Sequence, residues 1–353
     1  MSPLAPLAGV RVLDLTRYLP GAYATFLLHA LGAEVIKIEP PGGDPMRDVP
    51  PLGPDGTSRL FALACSGKKS VTADLRDPDR LAKVVALAAS ADAVIESYRP
   101  GVADRLGVGY EALRVARPDL VYCSLRGFAP GTARESVAGH DLNYLSTAGW
   151  VDAAGGPAIA RLAPGDLLGG LFAAFGVLAA LGETPRGRHV ETSVYGAALS
   201  WLMVHEASGA EPVPSEGAGY RTVRTADGRA TIGALETHLW NKLCDALGIG
   251  GARHDSTTTF VPEEHFVATS GDIDRAFATR TRADVERLMR DVGGVAPVLT
   301  PAEALADEDA RTSGVRRVVR DRVLLAPPLP VDLGSLAVPA IGEHDHLLEG
   351  PTA

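Results

Sequence analysis

Residues 9–41, GVRVLDLTRYLPGAYATFLLHALGAEVIKIEPP, decide the fold. The run 9–16 is a Val- and Leu-rich segment opened by Gly9. Residues 22–33 carry apolar side chains at helical spacing up to Gly32, and 34–41 is a second apolar run stopped by two prolines. Strand, helix and strand in that order form a βαβ unit, with parallel, right-handed pairing as the default. The alternation continues: KKSVTADL (68–75) reads as a strand, PDRLAKVVALAASA (78–91) as a helix, and ADAVIES (91–97) and DLVYCSLRGF (119–128) as strands. A mostly parallel, helix-covered sheet is therefore predicted over residues 1–200. The turn after the first strand, Arg17-Tyr18-Leu19-Pro20-Gly21, has no Gly-x-Gly-x-x-Gly. The α/β class stands, and a dinucleotide site does not.

At 353 residues the chain exceeds the roughly 250–300 residues at which a single core stops growing, so two domains are expected. A net charge of −9 argues against nucleic acid or an anionic membrane surface as the main partner. Cys65, Cys123 and Cys244 are odd in number and far apart, which suggests neither a disulfide framework nor a zinc knuckle. No metal is expected. No export signal is read at the N-terminus, and the cytoplasm is the expected compartment. The most apolar run, LLGGLFAAFGVLAALG (167–182), is bracketed by Asp166 and Glu183 and reads as a buried helix rather than a membrane span.

Past residue 200 the composition changes. HEASGAEPVPSEGAGY (205–220) has linker chemistry, and TVRTADGRATIGAL (222–235) folds over Asp227-Gly228 as a hairpin. THLWNKLCDALG (237–248) is an amphipathic helix closed by Gly248, and RTRADVERLMRDVG (280–293) is another helix. The tail regains short apolar strands between prolines. We expect a large domain over 1–200 completed by 318–353, a linker at 201–221, a smaller α+β domain at 222–295 and a return linker at 296–317.

Two loops stand out. SVAGHDLNYLSTAG (136–149) places Gly139, His140 and Asp141 in one turn, and RLAPGDLLGGLFAAFG (161–176) sets Asp166 after Pro164-Gly165 at the start of an apolar helix. Asp166 is read either as a helix cap or as half of an acid/base pair with His140. Asp141 is read as a turn residue. Catalytic groups in parallel sheets gather at the strands' carboxyl ends, where both loops fall. Glu236 occupies a capping position before the helix at 237. Arg99 and Arg105 flank a Pro-Gly turn suited to an anion, or are simply solvated.

GVRVLDLTRYLPGAYATFLLHALGAEVIKIEPPGGDPMR (9–47), KKSVTADLRDP (68–78), DAVIESYRPGVADRLGVGYEAL (92–113), AGHDLNYL (138–145), GDLLGGLFAAFGVLAAL (165–181), ADGRATIGALETHLWNKLCDALG (226–248) and VAPVLTPAEAL (295–305) together carry a resemblance. They resemble the family III coenzyme A transferases, the group of carnitine and formyl-CoA transferases that also holds the α-methylacyl-CoA racemases. The resemblance implies a Rossmann-like large domain and a smaller domain joined by long linkers, in an interlocked homodimer. It implies an acyl-CoA thioester substrate, with coenzyme A as part of that substrate and no further cofactor.

Within the family, transferases use the aspartate matching Asp166 as a nucleophile. Racemases pair it with the histidine matching His140 on opposite faces of the acyl α-carbon. The string Gly139-His140-Asp141-Leu142-Asn143-Tyr144 resembles the racemase branch, and so does the lack of a four-glycine loop around 205–265. By resemblance, Glu236 orients His140 and the N–H of Asp141 meets the enolate oxygen. Coenzyme A contacts carried over are Ala73, Asp74, Leu75, Arg76, Ser97, Tyr98, Arg99, Arg105 and Gly139 to Tyr144. The chain departs from the racemase pattern at EGAGYRTV (216–223), at Thr237-His238-Leu239 and at Leu167-Leu168-Gly169-Gly170. Pro40 stands where a basic residue stacks on adenine. The expected activity is epimerisation of a 2-methyl or similarly substituted acyl-CoA. Coenzyme A transfer is the alternative, and binding without turnover a second one.

Overall fold

The computed structural model describes residues 3–207, 219–319, 322–334 and 336–349. Most of the expected linker at 201–221, and the start of EGAGYRTV, lie outside them. The described chain separates into two compact units, 1–202 with 309–353 and 203–308.

In the larger unit six strands pair in parallel: β1 (Arg11–Leu15), β2 (Glu34–Glu39), β3 (Lys69–Thr72), β4 (Ala93–Glu96), β5 (Val121–Arg126) and β6 (His189–Ser193). Their order is β3-β2-β1-β4-β5-β6. Register follows from pairs such as Asp14 with Lys37 and Ile95, and Ser124 with Glu191. Both faces of the sheet are covered, so its strands read as continuous apolar runs rather than alternating ones. Val12, Val35, Ile95 and Cys123 pack on one side; Leu13, Ile36, Val94 and Tyr122 pack on the other.

The first face is covered by α1 (Tyr18–Ala30). On the second face lies α2 (Pro78–Ala89), whose Val84 and Leu87 enter the core and whose first turn is capped by Asp77. Helix α3 (Asp141–Thr147) follows β5 and is short. Helix α4 (Pro164–Leu181) is the apolar run foreseen at 167–182; it buries Ala173, Ala174 and Val177 beside α1, and half of its length is buried. Its contact with α1 is tight because Gly170 has no side chain. A Cβ there would stand 2.5 Å from the carbonyl oxygen of Pro20. Helix α5 (Val194–Ser200) runs on directly from β6, capped by Ser193.

The sequence reading placed the start of α1 at residue 22, yet the helix begins at Tyr18, because Pro20 is acceptable in a first turn whose N–H groups have no partner anyway. Strand β6 was not foreseen; HVETS has too few consecutive apolar residues to stand out.

The second unit has a three-stranded antiparallel sheet, β7 (Tyr220–Thr225), β8 (Gly228–Gly233) and β9 (Val295–Pro297), with the hairpin turning at Ala226-Asp227. Helix α6 (Thr237–Leu247) buries Trp240 and Leu243 and ends on Gly248 at φ 74°, a left-handed closure that glycine adopts without strain. Helices α7 (Glu263–Ala278) and α8 (Arg282–Asp291) complete its core. Two further short helices, Pro301–Ala306 and Glu308–Thr312, occupy the stretch 296–317.

The C-terminal stretch returns to the first unit. A hairpin of β10 (Arg316–Val319) and β11 (Arg322–Leu325) brings Leu324 and Ala326 against Phe26 and Ala30. Further on, Asp345 accepts from the N–H and hydroxyl of Thr72, both at 2.6 Å, and so closes the β3 edge.

Candidate active site

The strand order reverses between β1 and β4. The loops leaving their carboxyl ends run apart, and in open α/β sheets that divergence opens a ligand crevice. A cleft of about 530 Å³ lies there. Arg17, Tyr18 and Pro20 wall it after β1, Ser97 to Pro100 after β4, and Leu125 to Gly127 at the end of β5. Residues 135–140, with Asn143, Tyr144, Asp166 and Val194, line the rest. The two loops singled out in the sequence therefore meet in one cavity.

His140 is the N-cap of α3, with extended backbone (φ −123°), and its N–H donates to Asn143 Oδ1 at 3.0 Å. Its ring is exposed to the cleft and meets the Tyr18 ring edge-on, with centroids 6.4 Å apart. The hydroxyl of Tyr144 donates to Gly139 O at 2.8 Å, which fixes the turn ahead of the helix. The N–H groups of Asp141 and Leu142 belong to the first turn of α3 and have no acceptor within the helix.

Asp141 is not an ordinary turn residue. It is buried, and its Oδ1 accepts the backbone N–H of Asp166 at 2.9 Å, while Oδ2 has no partner among the described residues. Burial pushes its carboxyl above the usual range in spite of hydrogen bonds from the N–H groups of Asp166 and Gly165. Asp166 does not cap its helix either. That place belongs to Ala163, and Asp166 sits in the first turn of α4. Burial first, and then the charge of Asp141, push the Asp166 carboxyl up to about 7.

Ala73, Asp74, Leu75 and Arg76 follow β3 and line a second cleft of about 330 Å³, together with Pro40. Arg17 and Tyr98 line both clefts, so the two share a wall. Arg76 is held by Asp74 through Nε and Nη2 at 2.9 and 3.0 Å. Ser97 and Arg99 line the first cleft, whereas Arg105, Asp141 and Leu142 line neither. Glu236 belongs to the second unit, where it is the half-buried N-cap of α6 and its backbone bridges to Phe260. Sequence reasoning missed Arg17 and Tyr18 as site residues. Their position directly after the first strand, at the switch point of a doubly wound sheet, was the signal available. Among the described residues no three His, Cys, Asp or Glu side chains gather as a metal site, and the three cysteines are buried and free.

A family model, CoA-transferase family III, matches residues 7–345. The chain belongs to that family. It is 32% identical over 331 residues to a succinyl-CoA:mesaconate CoA-transferase of Haloarcula hispanica, covering 86% of this chain and 82% of that protein. It is 28% identical over 370 residues to human alpha-methylacyl-CoA racemase, covering 97% and 92%. The crystal structure of Rv3272 from Mycobacterium tuberculosis superposes with a TM-score of 0.86 at 27% identity, over 98% of this chain and all of that one. Family membership thus agrees with the resemblance, and the relatives carry both kinds of activity.

Proposed function

We propose that this family member epimerises an α-substituted acyl-CoA by moving a proton between the two faces of the α-carbon. The observation that carries the reading is that His140 and Asp166 line one cleft while the Asp166 carboxyl is raised to about 7. A group that must take a proton in one direction and give it in the other works best with its pKa near the operating pH. In one direction His140 removes the α-proton, the C–H electrons move onto the thioester oxygen as an enolate, and protonated Asp166 delivers its proton to the opposite face. The reverse direction exchanges the roles. A thioester α-proton is only weakly acidic, so the enolate oxygen needs donors already in place. The first-turn N–H of Asp141, which has no acceptor within α3 and follows His140, is the donor proposed for it.

The second cleft, at Ala73 to Arg76, is proposed to take the nucleotide end of coenzyme A, with Ser97, Tyr98 and Arg99 along the chain between. Arg105 contributes charge from the helix that follows. No cofactor beyond the thioester is called on. A homodimer is the proposed assembly, and the exposed Leu171 and Phe175 of α4 and Trp201 after α5 offer apolar surface for a second copy.

A second reading is favoured by the names of several relatives, which are CoA-transferases. In it, ionised Asp166 attacks the thioester carbonyl and expels the coenzyme A thiolate, giving a mixed anhydride. The raised Asp166 pKa lowers the share of ionised carboxylate available for such an attack.

The deciding experiment incubates a racemic 2-methylacyl-CoA with the enzyme in deuterium oxide, without a carboxylic acid acceptor. Deuterium entering the α-position, with epimerisation lost in His140→Ala and Asp166→Asn, supports proton transfer. No exchange, with coenzyme A migrating once carboxylates are added, would replace it with the transferase reading.

A further inference from the structure

Among the described residues, two that are not glycine have left-handed backbone: Tyr18 at φ 62° and Ala163 at φ 47°. Such conformations cost energy for any side chain with a Cβ and persist where the surroundings over-determine them. Tyr18 is a wall of the cleft, and Ala163 is the cap of the helix that carries Asp166.

The residues before Tyr18 are pinned from below. Asp14, at the end of β1 and fully buried, accepts from the N–H and hydroxyl of Thr16 at 2.9 and 2.6 Å. The Lys37 ammonium donates to Thr16 O at 2.8 Å, and the N–H of Arg17 donates to Ser97 Oγ at 2.9 Å. On the other side, Gly21 lies so close to Thr16 that a Cβ would overlap its side chain at 2.2 Å. Residues 16–21 therefore have little room to relax, and Tyr18 is held with its ring in the cleft, 47% exposed and edge-on to His140. A large apolar ring held in a strained backbone, in an open cavity rather than in the core, is not explained by stability.

We infer that Tyr18 is the positioning residue for the His140 imidazole, fixing its orientation toward the α-carbon of the acyl-CoA. The exposed His140 ring has freedom to turn about its side-chain bonds, and a perpendicular aromatic neighbour restricts it. The inference rests on the proton-transfer reading above, because only there does imidazole orientation govern a chemical step.

The test uses the two faces separately. Each epimer is incubated in deuterium oxide, and deuterium is measured in the recovered, uninverted substrate. Exchange with retention reports the base on that face alone; His140→Ala shows which face belongs to His140. Wild type, Tyr18→Phe and Tyr18→Ala are compared after circular dichroism has shown each to be folded. Tyr18→Phe keeps the ring and is expected to match wild type. Tyr18→Ala is expected to lower exchange on the His140 face, relative to the Asp166 face, by about three- to tenfold, the equivalent of one aromatic pair. A Tyr18→Ala ratio equal to that of wild type overturns the inference and leaves the proton-transfer reading standing. Wild type that neither exchanges nor inverts either epimer overturns both.

Discussion

Asp141 Oδ1 accepts the backbone N–H of Asp166 at 2.9 Å, which joins the first turn of α3 to the first turn of α4 and sets two carboxyl groups close together. The N–H is satisfied, but the charge of Asp141 acts on the Asp166 side chain and helps to raise it to about 7. Burial is the larger cause of that rise.

Removing the charge while keeping the acceptor separates the two causes. Asp141→Asn still offers an oxygen to the Asp166 N–H, and Asp166 remains half-buried, so its pKa is expected to fall part of the way toward 3.8. In the direction that uses Asp166 as base, activity rises with pH as the carboxylate forms. The Asp141→Asn variant should therefore reach its plateau at lower pH than wild type. A pH–rate profile of deuterium exchange reads the shift; coincident profiles would mean that Asp141 does not tune Asp166.

The same raised pKa affects stability. Below pH 4 Asp166 is protonated in both the folded and the unfolded chain and contributes no difference. Between pH 4 and 7 the unfolded carboxyl ionises while the folded one stays protonated, so stability falls as pH rises; above 7 the loss is complete. Asp166→Asn abolishes this dependence. Urea unfolding is expected to show the variant more stable than wild type by about 1–3 kcal/mol at pH 8, with the difference vanishing near pH 4. Equal stability at both pH values would show Asp166 to be ionising normally.

Much of this was legible in the chain. Residues 9–41 carry a βαβ unit because continuous apolar runs and a helical period differ unmistakably, and the Gly139-His140-Asp141 turn stood out by residue type as a loop that the fold sets in the cleft. Other parts were hidden for physical reasons. The side chain of Asp141 accepts a hydrogen bond from a residue 25 positions away, and no local pattern encodes that. Tyr18 looked like part of a turn, since a left-handed φ at a tyrosine is dictated by the buried groups around it and not by tyrosine itself. Lys68 and Lys69 are adjacent and alike in type, yet in the fold Lys68 is fully buried against Asp14, while Lys69 sits partly exposed as a partner of Glu34.

His140→Ala removes one acid/base group without touching the core, because the ring is exposed. Epimerisation in either direction needs both groups and is expected to fall by about 10²–10⁴, the usual contribution of general acid–base catalysis. Thermal stability should stay near wild type. Epimerisation within a few-fold of wild type would assign the proton to another group.

Gly170→Ala adds one methyl at the contact between α4 and α1. Its Cβ would stand 2.5 Å from Pro20 O and 3.2 Å from the N of Ala24, both backbone atoms that no side-chain rotation can clear. The helices must move apart, at a cost of about 1–3 kcal/mol. Pro20 also walls the cleft, so substrate KM should rise together with the loss of stability. A stable variant with unchanged KM would show that the two helices separate freely.

The last prediction concerns the charges beneath the site. Asp14, Lys37, Asp44 and Lys68 are all buried. Lys37 meets Asp44 at 2.8 Å and Asp14 at 3.9 Å, and Lys68 meets Asp14 at 3.3 Å. Two cations balance two anions, and Lys68 also donates to Thr25 Oγ1 at 2.6 Å and to Ala22 O at 2.9 Å. Burial alone would raise the Asp14 carboxyl, yet Lys37 and Lys68, with the Thr16 and Thr25 hydroxyls, hold it below its usual range. Lys68→Met fills similar space but leaves one anion in excess, and breaking such a buried pair from one side costs about 3–5 kcal/mol. Asp14→Asn in the same chain removes the excess anion, so the double variant is expected to recover part of the stability lost in Lys68→Met. Activity is a different matter: Asp14 also accepts from Thr16 ahead of Tyr18. An amide accepts those bonds more weakly than a carboxylate. The double variant should therefore regain stability to urea more fully than it regains exchange on the His140 face. Recovery of both together would mean that the buried charges support the fold alone and leave the Tyr18 loop to hold itself.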